Sequence, residues 1–146
     1  MTMKTQNFLQ QLDRRLIEGA ISAAELRTSG EIRVLLWRKP VDDAVAVAQA
    51  EFLRHGMQRT RDRNGVLILV APESQKFAVI GDTGVHEKCG DAFWQELAAA
   101  MSGHFQQGQF TAGLQHGIAR AGDLLAEHFP RRADDTNEQP DQVIEE

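Results

Sequence analysis

With 146 residues, of which 42% are apolar and 25% charged, the chain can bury the core of one globular domain and is not composed like a disordered protein. Its net charge of −5 argues against general nucleic-acid binding, which needs a basic surface to neutralise phosphates. Cys89 is the single cysteine, so an intramolecular disulfide is excluded.

The first three predicted elements are a helix, a strand and a second helix. Residues 5–27 carry apolar side chains at helical spacing, which predicts an amphipathic helix. Residues 31–37 alternate at first and then become apolar, as expected of a strand. Asp42 or Asp43 can cap the next helix by accepting hydrogen bonds from its free N–H groups, and we expect this helix to run to about Gln58.

A β-hairpin follows and organises the rest of the chain. Residues 65–71 are almost all apolar, which is typical of a strand covered on both faces. Residues 72–75 have turn chemistry, and residues 77–80 form a third strand antiparallel to the second. Two further helices are predicted over residues 87–103 and 109–128.

These elements predict a three-layer α/β/α sandwich. A strand–helix–strand unit makes the first two strands parallel, and the hairpin strand completes a small mixed sheet with spatial order 1-2-3. Gly113 and Gly117 share one face of the last helix, which predicts close packing against a neighbouring element. We expect one domain over residues 1–130 and a polar, acidic, mostly disordered tail over residues 131–146.

No targeting segment is apparent in the sequence. The N-terminal residues are polar and lack the apolar core of a signal peptide. No stretch approaches the roughly 18 apolar residues that a transmembrane helix needs. We therefore expect a cytoplasmic protein without a transmembrane segment.

Polar side chains from three segments are predicted to meet along one rim of the sheet. The N-terminal ends of two parallel strands and the C-terminal end of an antiparallel third strand share an edge. The rim then comprises Thr28, Ser29, Glu31, Asp62, Arg63, Asn64, Asp82 and Thr83. A structural interpretation stays open, in which Asp82 caps the following helix and Arg63 forms a salt bridge.

The carboxylates of this rim suggest a cation site. Asp82 and Glu31, together with Asp62, can offer oxygen ligands to calcium or magnesium, helped by backbone carbonyls of the loops. No cluster of histidine and cysteine with the spacing of a zinc site competes with them.

Several short motifs are similar, in order and spacing, to those of a known family. They are Thr-Ser-Gly-Glu-Ile-Arg-Val (28–34), Thr60 followed by Arg-Asn-Gly-Val-Leu-Ile (63–68), Gly-Asp-x-Gly (81–84), Phe93-Trp94 and His-Phe-Pro (128–130). Together they resemble the TPM-domain family over about residues 5–143.

The resemblance implies a three-layer α/β/α fold and suggests a function. A plant thylakoid member of the family is associated with acid phosphatase activity and calcium binding, and other members bind metals without an established reaction. By resemblance, Asp82, Glu31 and the loop around Arg63 and Asn64 match positions near the family's proposed metal site. The signal peptide and membrane span of many relatives are absent here, which suggests a cytoplasmic bacterial-type member.

Two functions are consistent with this sequence. The preferred one is a non-catalytic module that binds a divalent metal or an unidentified protein partner, since an acidic surface without a catalytic histidine suits it. The alternative is a metal-dependent phosphatase that acts on phosphomonoesters. In that reaction Arg63 binds the phosphate, and Ser29, Thr28 or a metal-bound water attacks it. Because no nucleophile and base occur at a diagnostic spacing, whether the protein is an enzyme stays open.

Overall fold

A computed structural model describes residue 8, residues 10–131 and residues 143–146. The helices in these parts of the chain are α1 (Arg14–Glu25), α2 (Ala44–Arg54), α3 (Thr83–Gln106) and α4 (Phe110–His128). The strands are β1 (Glu31–Leu36), β2 (Gly65–Ala71), β3 (Lys76–Gly81) and β4 (Ile144–Glu145). Short 3₁₀ turns at Met57–Arg59 and Pro72–Ser74 precede β2 and β3, respectively.

The four strands form one mixed sheet in the order β3-β2-β1-β4. β1 and β2 are parallel, with Glu31 opposite Gly65, and β3 is antiparallel to β2. The predicted arrangement of the first three strands is therefore confirmed. β4 adds a strand parallel to β1, beside Leu35 and Leu36.

Helices cover both faces of this sheet, because β1 and β2 are apolar on both sides. One face, which includes Ile32 and Val34, packs against α1, α3 and α4. The opposite face, which includes Leu35 and Leu67, packs against α2. These two cores make the molecule an α/β/α sandwich, as the sequence predicts.

The first predicted helix is interrupted. Helical backbone at Gln10 and Gln11 gives way to a non-helical step at Leu12 and Asp13, and α1 starts afresh at Arg14. Asp13 causes this restart, since its carboxylate accepts a hydrogen bond from Leu16 N at 3.2 Å and so caps α1. The start of the predicted helix, residues 5–7, lies outside the described residues.

The third helix also differs from its prediction over residues 87–103. It begins at Thr83, since Asp82 rather than a later residue caps it, and it extends to Gln106. Gly90 interrupts it with a non-helical backbone at φ 71°. Such a conformation suits glycine, which has no Cβ to clash in the left-handed region.

The glycine face of α4 packs closely against α3, as predicted. A Cβ placed on Gly113 would lie 2.6 Å from the Phe105 ring, and one on Gly117 would lie 2.6 Å from Met101 Sδ. The absence of side chains at these two positions lets the helices approach each other. No helix in the described residues has the length and apolar character needed to cross a membrane.

The end of the predicted tail is ordered. Val143 is buried and Ile144–Glu145 pairs with β1, which differs from the disorder predicted for most of residues 131–146. Residues 132–142, the rest of that prediction, lie outside the described part of the chain.

Candidate functional site

The structure brings together the polar rim at the N-terminal edge of β1 and β2. Arg63 donates two hydrogen bonds to Asp82, from Nε to Oδ2 at 2.7 Å and from Nη2 to Oδ1 at 2.9 Å. This bidentate geometry is the strongest form of an arginine–carboxylate pair. Hydrogen bonding and attraction to Asp82 raise the pKa of Arg63 above its already high value.

Asp82 also begins α3. Its Oδ1 accepts a hydrogen bond from Thr83 N at 2.7 Å, and Gly84 N donates to Arg63 O at 3.0 Å. Arg63 holds a left-handed backbone conformation, with φ 52°, to present that carbonyl. The structural interpretation of Asp82 as a cap and Arg63 as its ion-pair partner therefore describes the contacts that the two residues make.

The hydroxyl groups proposed as nucleophiles make contacts that hold the backbone. Thr28 Oγ1 lies within hydrogen-bond distance of the carbonyl oxygens of Leu125 and Phe129, and accepts a hydrogen bond from Gly30 N at 3.0 Å. These contacts connect the start of β1 to the end of α4.

Asn64 connects the rim to the segment before β1. Its backbone N–H donates to Thr60 Oγ1 at 3.1 Å, and its side-chain amide donates to Ser29 Oγ at 3.2 Å. The side chain of Asn64 is almost completely buried, so these contacts position the loop rather than face a substrate.

Glu31 and Asp82 lie at the ends of different strands at the rim. Glu31 of β1 lies opposite Gly65 of β2, and Asp82 N, on the side of β3, donates to Gly65 O at 2.9 Å. Two strand spacings separate the two backbones, which is about 10 Å. A Cβ on Gly65 would meet Met57 O at 3.2 Å and Phe52 Cζ at 3.3 Å, so core atoms occupy the space above Gly65.

A different group of side chains offers converging metal ligands. One ligand atom from each of Glu51, His55 and Glu146 lies within 4.8 Å of the others, and no other such group of three occurs among the described residues. His55 Nε2 is 3.7 Å from Glu51 Oε2 and 3.2 Å from Glu146 Oε1. Asp82, Glu31 and Asp62 are not part of this group. We refer to Glu51, His55 and Glu146 as the edge triad.

Two elements position the edge triad. Glu51 lies in α2 and His55 directly follows its last residue, and a spacing of four residues brings their side chains to one face of the helix. Glu146 follows β4 and is fixed by its backbone, because Glu146 N donates to Leu36 O at 2.8 Å and Arg38 N donates to Glu146 O at 2.7 Å. The triad therefore bridges α2 and the edge of the sheet.

Burial and neighbouring charges affect the pKa of His55 in the edge triad. The side chains of Glu51, His55 and Glu146 are 9%, 15% and 26% exposed, respectively. Burial lowers the pKa of His55, with further lowering by Arg33 and Arg54 and an opposing effect of Glu51. Because the ordinary value is 6.5, His55 is mainly neutral at pH 7 and its ring can offer a lone pair.

Arg54 already pairs with both carboxylates of the edge triad. Its Nε donates to Glu51 Oε2 at 2.5 Å, and its Nη2 donates to Glu146 Oε2. The Arg54 side chain is about half exposed, so it can turn toward solvent without opening the core.

Sequence reasoning missed the edge triad. The spacing of Glu51 and His55 on a predicted helix was the available signal, and it is a common one. Glu146 had no local signal, because it belongs to the segment predicted as a disordered tail.

Comparison with known proteins places the chain in a family. A family model described as the TPM domain matches residues 2–124. The chain belongs to the TPM-domain family. This agrees with the resemblance seen in the sequence motifs.

Two solved structures are similar to this TPM-domain protein. The NMR structure of BA42 from the psychrophilic bacterium Bizionia argentinensis is 39% identical, with a TM-score of 0.83 over 91% of this chain and 92% of that one. The N-terminal domain of a protein from P. gingivalis is 17% identical, with a TM-score of 0.54 over 78% of this chain and 76% of that one, and shows a similar fold. The comparison with curated proteins found no match.

Proposed function

We propose that this TPM-domain protein is a non-catalytic module that binds a divalent cation at the edge triad. The observation that carries the proposal is the convergence of one imidazole and two carboxylates within 4.8 Å. Carboxylates and a neutral imidazole are common metal ligands, and the lowered pKa of His55 favours its neutral form at pH 7. Three protein ligands leave further coordination positions for water.

The donor set indicates which cation to expect. Calcium and magnesium, which the sequence suggested, prefer oxygen ligands alone. An imidazole together with carboxylates suits zinc better, because nitrogen is a softer donor. We therefore expect zinc to bind more tightly than calcium or magnesium at the edge triad.

Arg54 limits the affinity of the edge triad for a cation, because it pairs with the same two carboxylates. A cation between Glu51 and Glu146 competes with the guanidinium that neutralises both carboxylates, so part of the gain from coordination is lost in breaking two ion pairs. Because the Arg54 side chain is about half exposed, each of these part-buried ion pairs contributes on the order of 1 kcal/mol. We therefore expect an affinity in the micromolar range and a larger one when Arg54 is replaced.

The rim is a second candidate site for calcium or magnesium. Both oxygens of Asp82 accept hydrogen bonds from Arg63, so a cation there must first displace the guanidinium. Glu31 and Asp62 stay predicted ligands of that site. Calorimetry with calcium and the Asp82→Asn variant tests this second site.

The contacts of the rim favour a module over a phosphatase. Thr28 and Ser29 hydrogen-bond to backbone carbonyls and a buried amide, and Arg63 is engaged by Asp82. A phosphatase needs a nucleophile beside a base and a cation free to hold phosphate. The three candidates are instead used to join β1, β2, α3 and α4.

Calorimetry with zinc and with calcium tests the proposal. Wild type, Glu51→Gln and Asp82→Asn are compared at pH 7.5, where His55 is neutral. We expect saturable zinc binding that Glu51→Gln weakens at least tenfold and Asp82→Asn leaves unchanged.

Equal zinc affinity in wild type and Glu51→Gln would reject the edge triad. Calcium binding that Asp82→Asn alone abolishes would move the site to the rim. Arg54→Gln serves as the matched control, since it removes the competing cation and should strengthen zinc binding.

A further inference from the structure

The terminal strand β4 lies on a short, basic section of the sheet edge. We propose that this section is an acceptor site for an extended peptide of a partner protein, in which two apolar residues are followed by two acidic residues. β4 occupies the site in cis and displays the chemistry that the site recognises. The three arginines that surround it are Arg14, Arg38 and Arg54, which we call the arginine cradle.

Backbone pairing provides the part of the recognition that any extended peptide can satisfy. β4 runs parallel to β1, with Ile144 beside Leu35 and Glu145 beside Leu36. Glu146 N donates to Leu36 O at 2.8 Å, and Arg38 N donates to Glu146 O at 2.7 Å. Addition of a strand to an exposed sheet edge is a common mode of peptide binding.

Two apolar positions select the first half of the peptide. Val143 is buried in the core on the side of α1 and α4, whereas Ile144 packs against the core on the side of α2. Consecutive residues of a strand point to opposite faces, so one extended peptide fills both positions.

The arginine cradle selects the acidic half. Arg14 Nη1 contacts Glu145 Oε1 at 2.6 Å, and Arg38 Nη2 contacts Glu145 Oε2 at 2.7 Å. Arg54 contacts Glu146 on the opposite side of the strand. The chain has a net charge of −5, but the three arginines around Glu145 and Glu146 make this part of the surface locally basic. A locally basic surface favours acidic ligands.

The cis occupant is held weakly enough to exchange. β4 pairs with only two residues of β1, Leu35 and Leu36, so few backbone contacts hold it in place. The cradle arginines are 44%, 58% and 55% exposed, and ion pairs of such exposure contribute little. Because β4 is part of the same chain, a partner peptide must compete with an effective concentration that can be on the order of millimolar.

The test uses the full chain with Glu145→Lys and Glu146→Lys, which repels the cradle and releases β4. Binding of a synthetic peptide with the sequence of residues 140–146 is followed by NMR at the amides of Leu36 and Arg38. Because the buffer contains a chelator, the result does not depend on the cation site proposed above.

We expect the released variant to bind the peptide saturably and at least tenfold more tightly than wild type does. A peptide with both glutamates replaced by glutamine should bind the released variant at least tenfold more weakly. Ile144→Ser in the full chain provides a second way to release β4 if the double substitution prevents folding.

Three results would overturn the proposal. They are a folded, released variant that does not bind the peptide, equal binding of the glutamine peptide, and β4 amides that remain docked in both variants. Concentration-dependent dimers of wild type that lose their β4 amide shifts on dilution would assign the site to a second copy of the chain instead.

Discussion

Replacement of Gly84 by alanine should destabilise the protein, although alanine is the better helix former. A Cβ at this position would lie 2.2 Å from Asp62 O and 2.7 Å from Arg63 O. Both neighbours are backbone atoms, which cannot rotate away. The start of α3 must therefore move off the loop before β2 and weaken the Gly84 N to Arg63 O hydrogen bond of 3.0 Å.

The size of the effect follows from three contributions. Overpacking costs about 1–3 kcal/mol, and a lost hydrogen bond costs about 1 kcal/mol. The higher helix propensity of alanine returns up to about 1 kcal/mol. We expect a net loss of about 1–4 kcal/mol in the free energy of unfolding, or roughly 3–4 °C in Tm per kcal/mol for a domain of this length.

Gly103 provides a matched control in the same helix. A Cβ there would meet nothing within 4 Å, so Gly103→Ala should stabilise the protein by up to about 1 kcal/mol. Urea unfolding and thermal melting of both variants measure the contrast. If Gly84→Ala stabilised the protein as much as Gly103→Ala, the close approach of α3 to the loop would be refuted.

Four further predictions concern stability, the reactivity of Cys89 and phosphatase activity. Thr28→Val should lose about 1–3 kcal/mol in urea unfolding, since it removes a buried hydroxyl that joins β1 to α4, and Thr28→Ser should retain most of that stability. Burial lowers the pKa of His55, so as the pH falls the unfolded chain binds a proton before the folded chain does, and the free energy of unfolding should decrease below about pH 6.5. With a chelator present, His55→Gln should make the free energy of unfolding less dependent on pH in this range. An unchanged pH dependence would contradict the lowered pKa of His55. Burial raises the pKa of the Cys89 thiol, so its alkylation at pH 8 should be slower than that of an exposed model thiol. Purified wild type should hydrolyse an aryl phosphate no faster than a blank, whereas activity that Arg63→Ala and Asp82→Ala both lower would support the phosphatase.

Local patterns were sufficient to predict the central layer of the fold. The apolar run of residues 65–71 and the hairpin after it identify β2 and the antiparallel β3. The helix between β1 and β2 implies that these two strands are parallel. Helix boundaries were less accurate, because they depend on single capping contacts. Asp13 and Asp82 each start a helix at a point that apolar periodicity does not mark.

β4 could not be predicted, since its partner is distant in the sequence. Two residues are too few to show an alternating pattern, and the preceding segment is polar. Its position depends on the burial of Val143 and on the arginine cradle, which come together only in the folded chain.

The candidate site was predicted only in part, for a related reason. Strand directions brought Arg63, Asn64 and Asp82 together, as expected. Whether Glu31 and Asp82 share a cation depends on the spacing of their strands, since Gly65 of β2 lies opposite Glu31, and the sequence does not give this spacing. Glu146 of the edge triad is positioned by β4, which was not predicted, so the triad could not be predicted from the sequence.

An NMR titration that observes the imidazole nitrogens of His55 is the most direct test of the cation site. On addition of zinc, we predict a large shift of one His55 ring nitrogen together with shifts of the Glu51 and Glu146 amides, saturating at one equivalent. Addition of a chelator should reverse these shifts. Zinc shifts confined to Asp82, Thr83 and neighbouring residues, with an unchanged His55 ring, would contradict the account.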